Sequence, residues 1–249
     1  DTCTKEIAVM TRAGDQVITI GGTAKGAGMI APNMATMLCF LTTDSSVPNK
    51  VLSRCLRDSV TRSFNRIGVD GHMSTNDMVV ILANGAGGGP VIDDATMVLP
   101  AFRETLDYVT HHLAKEIVKD GEGATKLVMI EIGGAPTEAY ALRVANAIGN
   151  SPLVKTAING EDPNWGRIIS AAGAAGIPLD EQRLKLYIGD VLVFEGGVSA
   201  DFEREKLLEE MKKKEVCIRL HLGLGKSKTE FWTCDLSHEY VTINAKYHT

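Results

Sequence analysis

From Ala24 to Leu38 the chain reads Ala-Lys-Gly-Ala-Gly-Met-Ile-Ala-Pro-Asn-Met-Ala-Thr-Met-Leu, a glycine-rich, proline-broken loop running straight into an apolar segment. Glycines 26 and 28, the Pro32-Asn33 turn signal and the small Ala35 make a loop that can be strained and closely approached. Thr36 to Thr42 reads as a buried strand. The junction delivers one hydroxyl, that of Thr36, to the point where loop becomes strand. A hydroxyl there can attack the carbonyl of Ala35, forming an ester that water opens, and the new chain would begin at Thr36. Its free α-amine, with a reference pKa of about 7.7 to 8.0, can serve as the base for its own hydroxyl. The same residues equally describe a glycine loop entering a core strand, with Thr36 merely its first polar residue.

The rest of the chain alternates helix-like and strand-like patterns. Lys50 to Ile67 carries apolar residues at 51, 52, 55, 56, 60, 64 and 67, which is helical spacing, with Val47-Pro48 at its entry. Met78 to Ala83 is a continuous apolar strand emptying into Asn84-Gly-Ala-Gly-Gly-Gly-Pro90. A helix over Pro100 to Lys119 and a strand over Lys126 to Ile132 follow. Helices at 137–149 and 167–175, a hairpin around Gly189-Asp190, a charged helix at 202–214 and two or three closing strands complete the pass. The loop Asp120-Gly-Glu-Gly-Ala124 is the break at which helix-rich and hairpin-rich segments separate.

At 249 residues, 44% hydrophobic and 23% charged, the chain can bury one substantial core or two smaller ones. Its net charge of -5 offers no basic footprint for nucleic acid. Cys3, Cys39, Cys55, Cys217 and Cys234 are odd in number, scattered and never in a CxxC spacing, which points to reduced thiols in a cytosol-like compartment. No run of 18 apolar residues and no signal-peptide pattern is present, so the expectation is cytoplasmic, with no membrane span. The opening Asp1-Thr2 suggests a processed or truncated product.

Several motifs fail on inspection. In Asn84 to Pro90 the last glycine of a dinucleotide loop is replaced by Pro90. Gly225-Lys226-Ser227 has the tail of a P-loop, yet Leu220 stands where its first glycine belongs, and the segment reads as a hairpin turn. His111 and His112 point to different faces of a helix, and neither HExxH nor GxSxG occurs, so no metal site is expected. Lys212-Lys213-Lys214 reads as a solvated helix end, where cations suit the dipole.

Five segments, taken in order, carry a resemblance. They are Lys25 to Leu38, Ser74-Thr-Asn-Asp77, Gly160-Glu-Asp-Pro-Asn-Trp-Gly-Arg167, Phe231-Trp-Thr-Cys-Asp-Leu236 and Val241-Thr-Ile-Asn244-Ala. Together they resemble the ornithine acetyltransferase family, the bifunctional glutamate N-acetyltransferases of arginine biosynthesis. The resemblance implies a mixed α/β fold of stacked sheets flanked by helices, N-terminal-nucleophile-like, with a smaller C-terminal α/β domain. With the cut it implies and the break at the Asp120–Ala124 loop, the chain divides into residues 1–35, the end of an upstream alpha chain, 36–124, the nucleophile-bearing part of the core, and 125–249, the C-terminal domain.

The resemblance also implies roles. Thr36 becomes the nucleophile, with the self-cleavage between Ala35 and Thr36. Lys25 becomes a substrate-binding residue whose ammonium pairs with a carboxylate, although alone it reads as an exposed loop lysine. Glu122, otherwise a solvent-facing loop acid, matches the glutamate that binds the amino-acid substrate. Asn244 and Thr249 match substrate contacts at the C-terminus, otherwise a frayed tail. The implied chemistry is ping-pong transfer of acetyl from N-acetylornithine to glutamate through an acetyl-Thr36 ester. No cofactor is expected, with acetyl-CoA open as a co-substrate, and an α2β2 assembly with the upstream chain is implied. The family's oxyanion Thr-Gly pair lies upstream of the segment matching Asp1, so the oxyanion hole is not in this chain.

Two departures stand out. The family usually reads Asp-Gly-Asp-Thr-Ser-Thr-Asn-Asp where this chain has Asp70-Gly71-His72-Met73-Ser74-Thr75-Asn76-Asp77. His72 and Met73 are taken as changes in loop packing, and Ser74 to Asp77 is as readily a structural cap as a catalytic loop. Two alternatives stay open: an amidohydrolase or aminopeptidase on the same self-processing fold, and a non-catalytic fragment lacking its upstream half.

Overall fold

The computed structural model describes residues 1–31 and 37–246. They form two compact units, Asp1–Asp120 and Gly121–Thr249.

The first unit opens with an antiparallel hairpin of β1 (Lys5–Ala13) and β2 (Gln16–Lys25). Gly14, at φ +63°, begins its two-residue turn, a backbone state that side chains disfavour. Periodicity alone does not announce this hairpin, because the inward positions of β1 include Lys5 and Thr11 and its exposed positions include Ala8 and Met10, so polar and apolar residues do not segregate by face. β3 (Leu38–Thr43) pairs antiparallel with β2. After it come α1 (Asn49–Arg62), the two-residue β4 (Ile67–Gly68), β5 (Met78–Ala83) and α2 (Leu99–Lys119). β5 lies parallel to β3, so the chain must cross over between them, and α1 lies in that crossover. The sheet order is β1-β2-β3-β5.

The helix expected to reach Ile67 ends at Arg62. Ser63 leaves helical geometry, its hydroxyl bonds back to the Ser59 carbonyl at 2.7 Å, and a 3-10 turn over Phe64–Arg66 follows. α2 packs on β1 and β2. Phe102, Leu106, Val109, Leu113 and Ile117 recur at helical spacing and are fully buried, as are Ile18, Ile20, Cys39 and Leu41 of the sheet. Gly22 leaves no room for a side chain: a Cβ there would lie 2.4 Å from Leu41 Cδ2 and 3.0 Å from Leu113 Cδ1 of α2. Gly22→Ala is therefore expected to destabilise this unit by about 1–3 kcal/mol through overpacking, read as a fall in denaturant midpoint at unchanged slope.

The second unit is built on β6 (Leu127–Ala135), flanked by β10 (Glu215–His221) in parallel and β11 (Ser227–Cys234) antiparallel. β7 (Lys185–Ile188), β8 (Val191–Glu195) and β9 (Val198–Ser199) extend the sheet beyond β10. The turn at Gly189-Asp190 joins β7 to β8 as a hairpin. α3 (Glu138–Gly149), α4 (Pro152–Asn159), α5 (Trp165–Gly173) and α6 (Arg204–Lys212) complete the apolar layer together with Ile130, Ile132, Ile218, Leu220 and Phe231.

Three local expectations change. α4 was not foreseen from periodicity because it is short, but Ser151 caps it by accepting the Val154 amide and Pro152 begins it. Gly225-Lys226-Ser227 is no hairpin turn, since β10 and β11 lie on opposite sides of β6. The chain closes with two strands and then α7 (His238–Lys246), a helix whose weak amphipathicity hides it from periodicity. The fold class is the expected mixed α/β type, sheets flanked by helices.

Candidate functional site

Ala35, Thr36 and Thr249 lie outside the described residues, so the site is built from what flanks them. Two carboxylates from the loop 69–77 dominate the flanks of residues 32–36. Asp70 accepts the Met29 amide at 2.7 Å, the Ile30 amide at 3.1 Å and the His72 amide at 3.2 Å. Asp77 accepts the Met37 amide at 2.8 Å. A ladder-like pair of backbone bonds accompanies them, Val69 to the Ile30 carbonyl at 2.8 Å and Met78 to the Met37 carbonyl at 3.2 Å. The segment Ser74–Asp77 thus acts as an anchor for the start of β3. The imidazole of His72 and the side chain of Met73 belong to exposed residues of this loop.

Lys25 is the last residue of β2 and is exposed. Register places it opposite Leu38, and Leu38 opposite Met78, so the three form one row across the sheet. That row belongs to the face turned away from α2. Met10 (72% exposed), Leu82 (62%) and Phe40 (44%) lie on the same face, an uncovered apolar surface on an otherwise buried sheet.

In the second unit the structure joins two residues far apart in sequence. Asn244 Nδ2 donates to Glu122 Oε2 at 2.8 Å and to the Tyr240 carbonyl at 3.0 Å. The Glu122 loop is clipped to α7 at Gly123, whose carbonyl accepts the Ser237 hydroxyl at 2.6 Å. Gly123 has φ +68°, and a Cβ on it would lie 2.4 Å from the Tyr240 amide nitrogen, so neither conformation nor space admits another residue. The far side of the loop is held by Asp235, which accepts Thr125 N at 2.7 Å, Thr125 Oγ1 at 2.6 Å, Lys126 N at 2.8 Å and Asn159 Nδ2 at 2.6 Å. Burial pushes the Asp235 carboxyl upward, but these hydrogen bonds outweigh it and hold the group below the ordinary carboxylate range.

Asp235 and Asp77 stand in two of the segments that carry the resemblance, and their sequence context does not disclose these roles. An aspartate just outside a strand was the available signal, and its partners are decided by tertiary contact. The buried Lys155, which donates to Thr233 Oγ1 at 2.9 Å, had no signal at all.

Other chemistry is set aside by the surroundings. Burial pushes the Cys39 thiol up to about 12, leaving essentially no thiolate at neutral pH on the strand that follows Thr36. The Cys217 thiol is raised to about 11, chiefly by burial and then by Glu131. Asn84–Pro90 folds back on Asp44, whose carbonyl accepts the Gly87 amide at 2.9 Å, and no helix opens from it. Among the described residues no three His, Cys, Asp or Glu side chains gather as metal ligands.

A sequence model described as the ArgJ family matches residues 1–249. The chain belongs to the ArgJ family. It is 45% identical over 249 residues to the arginine biosynthesis bifunctional protein ArgJ of Staphylococcus saprophyticus, covering all of this chain and 60% of that protein. The ArgJ protein of Dehalococcoides mccartyi is 46% identical over 249 residues, with 62% of its length covered. The chain therefore spans about three fifths of the length of these curated ArgJ relatives. Among solved structures, the crystal structure of the arginine biosynthesis bifunctional protein argJ from Bacillus halodurans superposes with a TM-score of 0.81 at 38% identity. The match takes in 84% of this chain and 98% of that one.

Proposed function

We propose that this chain carries the nucleophile and part of the amino-acid pocket of a self-processing ornithine acetyltransferase that moves acetyl from N-acetylornithine to glutamate. The observation that carries the reading is the Glu122–Asn244 pair. Two polar side chains implied to bind an amino acid, distant in sequence, meet at 2.8 Å on a loop and helix clipped together. A carboxylate there can receive an ornithine ammonium, and an amide can serve either substrate.

Processing comes first. Thr36 Oγ attacks the Ala35 carbonyl carbon, the Ala35–Thr36 C–N bond breaks, and the hydroxyl proton passes to the departing nitrogen. Water then opens the ester, leaving an Ala35 carboxylate and a free Thr36 α-amine.

Transfer follows the same chemistry. The α-amine takes the proton of Thr36 Oγ, the oxygen attacks the acetyl carbonyl, and ornithine leaves with that proton. Glutamate's amine then attacks the acetyl ester and restores the hydroxyl. The acyl group travels on Thr36, so the reaction needs no cofactor; acetyl-CoA enters the proposal as an alternative donor. Lys25 offers a cation for a substrate carboxylate from the edge row it shares with Leu38 and Met78. Oxyanion donors are assigned to the Thr-Gly pair that the resemblance places upstream of the segment matching Asp1. The exposed Met10, Phe40 and Leu82 lie on the sheet face where the remainder of the upstream chain would pack, within an α2β2 assembly. No described helix is long and apolar enough to cross a membrane, in keeping with a cytoplasmic biosynthetic role.

The test is intact mass followed by an assay with N-acetylornithine and glutamate, with acetyl-CoA as a second donor arm. Fragments split at Ala35–Thr36 and acetylglutamate formed in equal measure to ornithine released support the proposal. Acetate release without acetylglutamate identifies an amidohydrolase instead. Glu122→Gln is expected to lower kcat/KM for N-acetylornithine by about 10- to 100-fold, the worth of a charge-assisted hydrogen bond. An unchanged kcat/KM would remove Glu122 from the pocket.

A further inference from the structure

The chain is pinned on both sides of residues 32–36 by carboxylates of a single loop. Upstream, Asp70 uses both oxygens, Oδ2 on the Met29 amide and Oδ1 on the Ile30 amide. Downstream, Asp77 Oδ1 holds the Met37 amide. Met29 has φ +55°, one of two non-glycine residues in the left-handed region among those described, the other being Glu161. Such a conformation costs on the order of 1–3 kcal/mol and persists where the surroundings enforce it. Here the enforcing contact is visible, since the Asp70 carboxylate grips the amide of the strained residue and of its successor.

We propose that Asp70 and Asp77 are positioning residues for self-cleavage, a two-point clamp that fixes the chain entering and leaving the Ala35–Thr36 segment. The inference rests on the cleavage reading given above and adds to it which groups set the attack geometry. With both flanks held by one loop, Asp70 and Asp77 fix where the chain enters and leaves the cleavage segment, and orientation of this kind is what brings a nucleophile to its carbonyl carbon at low entropic cost. The backbone bonds Val69 to Ile30 and Met78 to Met37 make each clamp point a paired contact, so removing a carboxylate loosens an end without erasing it. A misplacement of about 1 Å at a reacting centre costs on the order of 100-fold in rate.

The two aspartates differ in a way that can be tested. Asp77 presents one oxygen to one amide, which asparagine reproduces, whereas Asp70 meets Met29 and Ile30 with opposite oxygens. An asparagine at 70 must turn its NH2 group toward one of those N–H donors. In the longest reading frame that carries this chain, cleavage is followed over time by intact mass, with the thermal midpoint measured on the same samples. Asp70→Ala and Asp77→Ala should each slow cleavage about 100-fold. Asp77→Asn should stay within several-fold of the native rate, while Asp70→Asn stays slow, a split that loss of stability alone would not produce. Native-rate cleavage in both alanine variants, or equal rates in the two asparagine variants, overturns the clamp. Thr36→Ala run in parallel separates the two readings. If that variant still cleaves, the nucleophile assignment has failed; if it is blocked while the aspartate variants cleave normally, the clamp alone has failed. Should an alanine variant not fold, the asparagine pair carries the test.

Discussion

Thr36→Ala should give a chain that stays whole at Ala35–Thr36 and forms no acetylglutamate. The expected loss in transfer is on the order of a millionfold, the scale seen when a hydrolase loses the nucleophile of its covalent step. The loss should be double, because in the proposed mechanism the same hydroxyl opens the peptide bond and then carries the acetyl group. No neighbouring thiol can stand in, since Cys39 is buried with its thiol pushed to about 12. Thr36→Ser keeps a hydroxyl and should still cleave. Time-resolved intact mass, with acetylglutamate formation on the same sample, checks both variants; normal cleavage in the alanine variant would take Thr36 out of the mechanism.

Asp120→Ala is expected to cost about 1.5–3 kcal/mol of stability, because it removes the charge-assisted hydrogen bonds that Asp120 accepts from the buried Lys5 ammonium and from Thr2, and leaves Asp1 as the carboxylate on Lys5. Lys5 is buried, with its ammonium on the Asp120 and Asp1 carboxylates, and Asp120 also accepts the Thr2 amide at 2.9 Å and the Thr2 hydroxyl. Burial by itself would raise the Asp120 carboxyl. The hydrogen bonds from Lys5 and Thr2 more than reverse that and bring it from 3.8 to about 2. A carboxyl depressed on folding stabilises the folded state fully above its unfolded value, and that stabilisation fades as pH falls from about 4 to about 2. The linked contribution is on the order of 2 kcal/mol. Urea denaturation of the native chain from pH 6 to pH 2.5 should show this loss, and the alanine variant should lack that part of the slope. Parallel pH profiles for the two chains would show that Asp120 contributes nothing to the acid transition.

How much of this was readable beforehand depends on the range of the interaction. Met78–Ala83 as a strand, Lys126–Ile132 as the start of β6, and α2 and α3 as helices follow from local periodicity, because burial of one face repeats within a few residues. The turn at Gly189-Asp190 follows from local backbone chemistry. The β1–β2 hairpin escapes that reading because both its faces mix polar and apolar residues, exposed Met10 and Val17 on one and Lys5 and Gln16 on the other, so the alternation carries little contrast. α7 escapes it because none of its described residues is buried.

The site divides along the same line. Residue identity named Lys25, Glu122 and Asn244 through ordered resemblance, since chemical type and sequence order survive in the string of letters. It could not tell that Glu122 and Asn244 touch, because that contact depends on Gly123 letting α7 approach and on Asp235 holding Thr125 and Lys126. Nor could it show Asp70 and Asp77 gripping the two flanks of residues 32–36, for those bonds join segments separated by about forty residues. The sequence by itself determined the family, the alternating α/β pattern and the chemical types available for acyl transfer, all set by neighbours along the chain. Only the tertiary structure decided which carboxylates hold backbone amides, that the Glu122 carboxylate meets the Asn244 amide, and which face of the first sheet is exposed. Those outcomes arise from packing and hydrogen bonding between distant segments, and no local pattern encodes them.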